Sequence, residues 1–109
     1  MFRVRRVCRP HNRLDAWKVA GLLKRICAAY EEKGRSPATI CLGGFGTPAN
    51  DITVSAEWDQ ASIEANLRAN VPDIITTQYS SELGKLVASN LIEFYEIATV
   101  EKLKQWGEA

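Results

Sequence analysis

The sequence predicts an α+β domain in which strands and helices follow one another as strand, helix, strand, strand, helix, strand. Three observations carry this. Residues 2–9 and 52–58 alternate between two faces with the period of two expected of a strand. Residues 14–33 and 62–89 repeat apolar side chains at spacings of three and four, as an amphipathic helix does. Between the helices, residues 38–59 read as two strands joined by a turn rich in Gly, Pro and Asn.

The first strand places Phe2, Val4, Arg6 and Cys8 on one face and Arg3, Arg5, Val7 and Arg9 on the other, and Pro10-His11-Asn12 ends it. The first helix carries an apolar stripe of Ala16, Val19, Ala20, Leu23, Ile26, Cys27 and Tyr30. Gly34 suits its C-terminal cap, and Pro37 prevents continuation. A short strand at 39–42 leads into Gly43-Gly44-Phe45-Gly46, read as turn chemistry. It lacks the Lys and Ser of a phosphate loop, and no helix follows it. In the next strand Ile52, Val54, Ala56 and Trp58 share one face, Thr53, Ser55 and Glu57 the other, and Asp59 is the expected N-cap of the second helix. That helix is interrupted at Val71-Pro72-Asp73. The last strand is expected at 91–98, with Ile92 and Phe94 opposite Leu91, Glu93, Tyr95 and Ile97; Thr99 caps a short final helix.

Strands joined through a helix run parallel, whereas the central hairpin is antiparallel. The plan is therefore a ferredoxin-like βαββαβ domain over residues 1–109, a four-stranded antiparallel sheet with both helices on one face. The other face is left uncovered. It would present Arg3, Arg5, Thr53, Ser55, Glu57, Glu93 and Tyr95 around Val7, Leu91 and Ile97, a mixture suited to a half-buried cavity, as when two sheets pack face to face.

With this order, and with DITVSAEWDQASIEANLRA and LIEFYEIAT as the closest local likenesses, the chain resembles the dimeric α/β-barrel superfamily, which includes antibiotic-biosynthesis-monooxygenase, stress-responsive-barrel and NIPSNAP-like proteins. The resemblance implies a homodimer formed through the sheet faces and a small hydrophobic or aromatic ligand between sheet and helices. It implies a small metal-free enzyme of oxygenase, isomerase or cyclase type. The alternatives are a non-catalytic small-molecule-binding or regulatory module and a structural dimerisation domain. The chain has one histidine, His11 in a turn, so haem- or histidine-based chemistry is not expected.

Glu57 and Glu93 are the candidate bases, because desolvation in a closed cavity would raise their pKa; the alternative is that each pairs with Arg3 or Arg5. Tyr95 is a candidate hydrogen-bond donor to the same cavity. Arg3 and Arg5 could hold an anionic substrate by bidentate contacts, and Ser55 and Trp58 complete the expected substrate-binding set, Trp58 otherwise serving as a core aromatic. No cofactor and no metal are expected, since no cluster has metal-ligand spacing.

A formal net charge of +1 does not suit a chain built to neutralise phosphate. Arg3, Arg5, Arg6, Arg9 and Arg13 make the N-terminal stretch basic, but the exposed face lacks the aromatic platform on which single-stranded RNA stacks. No apolar run reaches the ~18 residues of a membrane span, and no apolar segment of a secretory signal follows the basic N-terminus. Cys8, Cys27 and Cys41 lack paired spacing and are read as small buried hydrophobes in a reducing, cytoplasmic compartment.

Overall fold

The structure is a computed structural model, and it describes residues 1–31, 35–44, 51–61 and 72–107. Its strands are β1 (Phe2–Pro10), β2 (Thr39–Gly43), β3 (Thr53–Gln60) and β4 (Val87–Glu96). Its helices are α1 (Ala16–Ala28), α2 (Ser81–Leu86) and α3 (Val100–Gln105). The strands form one sheet in the order β2-β3-β1-β4, every neighbouring pair antiparallel. This is the ferredoxin-like α+β arrangement: β1 and β2 run the same way with β3 between them.

The first helix starts through a 3-10 turn, Arg13–Asp15. Asn12 opens it: its side-chain Oδ1 accepts the Leu14 N–H at 2.9 Å. The α-helix therefore begins at Ala16 rather than Leu14 and ends at Ala28. The expected Gly34 cap lies outside the described residues. The buried stripe contains Ala16, Val19, Ala20, Leu23 and Cys27 as the spacing required, and Leu22 beside them.

Other boundaries also differ from the sequence expectation, and β4 ends at Glu96 rather than at residue 98. Asp59 does not cap a helix; it is a residue of β3, opposite Arg3 of β1. The second helical segment ends at Leu86 and not at Ser89. Val87–Asn90 instead extend β4, because Cys8, Arg9 and Pro10 offer ladder partners for Asn90, Ser89 and Val87, with a register shift at Arg9/Pro10. Local polarity at Ser89 and Asn90 suggests a break that the long partner strand overrides. The segment before β4 enters as a π-helical stretch, Ile75–Ser80, that runs into α2.

The core lies between the sheet and the helices. Val4 and Cys8 of β1, Val54 and Ala56 of β3, and Val19 and Leu23 of α1 are all fully buried. Each buried side chain of Val or Leu size contributes roughly 1.5–3 kcal/mol relative to exposure. Ile75 and Leu83 close the layer from the second helical segment. Toward the C-terminus this cover thins: Ile92 and Phe94 are 38% and 41% exposed although they lie on the helix side of β4. Among the described residues, no helix is long and apolar enough to cross a membrane.

Candidate functional site

The strand register assembles the predicted polar face. Thr39, Glu57, Arg5 and Glu93 form one row across the four strands, and Asp59, Arg3 and Tyr95 form another. Val7 lies between Ser55 and Leu91. All the predicted site residues except Trp58 therefore share this face.

The row is a charge ladder. Arg3 grips Asp59, Nε to Oδ1 at 3.0 Å and Nη2 to Oδ2 at 3.4 Å, and that contact raises the Arg3 pKa, the hydrogen bond first and the carboxylate charge second. Arg5 Nε lies 3.4 Å from Glu57 Oε1 in an ion pair without hydrogen-bond alignment. Glu93 flanks the same arginine from the other side. The Tyr95 phenol is held above its ordinary pKa, chiefly by its hydrogen bond to Glu93. Glu93 Oε1 is buried with no hydrogen-bond partner among the described residues. Glu57 is therefore engaged by a cation rather than isolated in an apolar cavity. Ser55 is buried on this face at 5% exposure.

Trp58 belongs to the opposite face. It is buried, and its Nε1–H donates to Gln60 Oε1 at 2.8 Å. It forms part of a cleft of about 420 Å³ between the sheet and the helices. Leu23, Ile26 and Tyr30 of the first helical stretch and Leu83 of α2 make the apolar walls, Arg6, Arg35 and Asn90 contribute polar groups, and Asp73, Thr76 and Ser80 line the side of the second helical segment. The volume lies within the usual range of small-molecule sites.

Arg35 is placed by the far end of β3. It forms an isolated antiparallel bridge with Gln60. Ser36 reinforces it: its N–H donates to Asp59 O, and its Oγ accepts the Asp59 N–H, each at 2.8 Å. The Arg35 guanidinium carbon then lies 4.4 Å from the centre of the Trp58 ring and 4.6 Å from that of Tyr30. Burial lowers the Arg35 pKa from its ordinary value, and the Arg6 charge acts the same way. Beside them, burial pushes the Cys27 thiol up, opposed by the charges of Arg35 and Arg6.

The sequence reading missed Arg6, Tyr30 and Arg35 as site residues. Arg6 carried a signal: it is a charge on the otherwise apolar face of Phe2, Val4 and Cys8. Arg35 carried none, because its position depends on pairing with β3. A further groove of about 560 Å³ runs along α1 and β2, lined by Trp17, Ala20, Gly21, Lys24, Ile40 and Leu42. It offers one charged group and little convergence of polar ones, so the sheet–helix cleft is the stronger candidate. Among the described residues, no three His, Cys, Asp or Glu side chains gather in a way that could hold a metal ion.

The sequence matches no protein-family model, and no curated protein matches it significantly. Solved structures do. A "putative antibiotic biosynthesis monooxygenase" from Deinococcus radiodurans superposes with a TM-score of 0.64 at 16% identity, covering 92% of this chain and 95% of its own. A conserved protein of unknown function from Bacteroides thetaiotaomicron, described as a "possible oxidoreductase", gives 0.58 at 16% identity, over 88% and 96% of the two chains. Rv0793 from Mycobacterium tuberculosis gives 0.57 at 15% identity, over 88% and 93%. At these identities the likeness is one of fold: the chain shares the ferredoxin-like α+β fold of these structures.

Proposed function

We propose that this protein binds a hydrophobic or aromatic small molecule in the cleft between sheet and helices and acts on it as an enzyme of oxygenase, isomerase or cyclase type. The observation that carries the binding reading is the cleft of about 420 Å³, in which Trp58, Tyr30, Leu23 and Ile26 meet Arg6 and Arg35. Aromatic and aliphatic side chains sit there among Arg6, Arg35, Asp73, Thr76, Ser80 and Asn90, a lining that fits an aromatic ligand carrying polar groups. The catalytic half rests on the fold shared with a protein described as a monooxygenase, an analogy of fold rather than of site. Glu57, Glu93 and Tyr95, the proton-handling groups expected from the sequence, lie with Arg3, Arg5 and Ser55 on the other face of the sheet and do not line this cleft.

The same proposal includes a homodimer that packs sheet face on sheet face. Leu91 and Tyr95 on that face are 63% and 49% exposed; Val100 and Leu103 of α3 and Trp106 just after it are 67%, 42% and 80% exposed. Apolar surface concentrated on one terminal segment is a usual mark of an association surface. A second reading, a non-catalytic binding module, is favoured by one observation: Glu57 is ion-paired with Arg5.

A panel of aromatic ligands tested by calorimetry, followed by turnover assays on any binder, separates these readings. Binding that is lost in Trp58→Ala, accompanied by turnover, supports the enzyme. Binding without turnover supports the module. The absence of binding across the panel overturns the cleft reading.

A further inference from the structure

We infer that the ligand of the sheet–helix cleft is an aromatic acid, its carboxylate held by Arg6 and its ring laid against the Trp58–Tyr30 side. This deepens the proposed function and rests on the cleft being the binding site. The argument begins with the four arginines of β1. Arg3, Arg5 and Arg9 each meet a carboxylate: Asp59 at 3.0 Å, Glu57 at 3.4 Å and Asp51 at 3.0 Å. Arg6 differs. It lies on the helix face, in line with the fully buried Val4 and Cys8 and opposite the fully buried Ala56. Among the described residues, its hydrogen-bond partner is the neutral amide of Asn90, with Nη1 donating to Oδ1 at 2.7 Å.

Arg6 is half-buried, and a carboxylate compensates a guanidinium better than an amide dipole does. Asp73 lines the same cleft, but it is exposed and makes no ion pair with Arg6. Arg35 lines the same cleft and brings a second guanidinium to it, held over the Trp58 and Tyr30 rings. The Arg35 guanidinium covers the rings of Trp58 and Tyr30, so a flat ring entering on that side stacks on the guanidinium plane.

Isothermal titration calorimetry with matched pairs of equal ring size tests this: benzoate against benzyl alcohol, 2-naphthoate against 2-naphthalenemethanol, 9-anthracenecarboxylate against 9-anthracenemethanol. The acid of the best-fitting pair is expected to bind at least about tenfold more tightly than its alcohol, as a charge-assisted hydrogen bond provides. Arg6→Met, which keeps the apolar stem, should erase that preference, bringing the acid's affinity down to that of its alcohol. Arg13→Ala, outside the cleft, should leave both unchanged. Equal binding of acid and alcohol to the unaltered protein overturns the inference and leaves the cleft reading standing. Preference retained in Arg6→Met also overturns it. Failure of every pair to bind overturns the cleft reading and this inference together. The comparison on the unaltered protein remains decisive even if Arg6→Met does not fold.

Discussion

The Arg35 guanidinium lies 4.4 Å from the centre of the Trp58 ring, and the Trp58 indole N–H is bonded to Gln60, the residue that pairs with Arg35. The three residues therefore fix one another at the rim of the cleft. Trp58→Ala would remove a buried ring and empty this corner, with an expected loss of about 3–5 kcal/mol in urea unfolding. Trp58→Phe keeps a ring but leaves Gln60 Oε1 without the indole N–H, and should cost less. Both should weaken binding of any ligand held in the cleft.

Gly44 has φ +106°, and a Cβ there would collide with the backbone carbonyl of Asp51. Gly44→Ala is expected to cost at least about 1–3 kcal/mol by thermal or chemical unfolding, from backbone strain before the collision is counted. Gly43→Ala meets only Thr53 Oγ1, at 3.1 Å, a side chain that can turn away. It should be the milder substitution of the two.

Arg5 separates Glu57 from Glu93 in a single cross-strand row. Arg5→Met would leave two carboxylates, one on each strand flanking β1, without that cation. Stability at low ionic strength should fall by about 1 kcal/mol, and added salt should recover part of the loss by screening. A loss independent of salt would show that packing of the arginine stem, rather than charge, is what matters there.

Self-association through the C-terminal segment predicts that Leu103→Glu with Trp106→Glu weakens the dimer at least tenfold in sedimentation equilibrium, about 1.4 kcal/mol. Both side chains are exposed in the single chain, so its own unfolding free energy should change by no more than about 0.5 kcal/mol. A chain that is monomeric before substitution would remove the dimer proposal altogether.

Cys8 is buried, and burial pushes its thiol from an ordinary 9.0 to about 11. Below pH 9 the proton is held in both folded and unfolded chains, and the stabilisation is complete. Between pH 9 and 11 the unfolded chain holds fewer protons, so stability falls as pH rises, by up to about 2 kcal/mol. Unfolding titrations across this range check the sign. At neutral pH an alkylating reagent should label the exposed Cys41 first, and Cys8 and Cys27 only on unfolding.

The order of elements was legible because it depends on local periodicity. The alternation around Val54, Ala56 and Trp58 and the spacing of Val19, Leu23 and Cys27 each place a buried face without reference to the rest of the chain. Boundaries were legible only where a local cap sets them, as Thr99 does for α3 by accepting the Lys102 N–H at 3.2 Å. Where a neighbouring strand sets them, the sequence misleads: Asp59 and Ser89 look like helix residues and are strand residues, because β1 supplies their partners.

The candidate site divides in the same way. By itself, the sequence determined that Arg3, Arg5, Glu57, Glu93 and Tyr95 share a face, since a period of two assigns every second residue to one side of a strand. Only the tertiary structure decided that Arg5 lies between two carboxylates, because cross-strand register is a relation between distant segments. It also decided that Trp58, Tyr30, Arg6 and Arg35 meet in a cleft on the other face. A cleft exists only where helix and sheet are brought together, and no local pattern encodes the space between them.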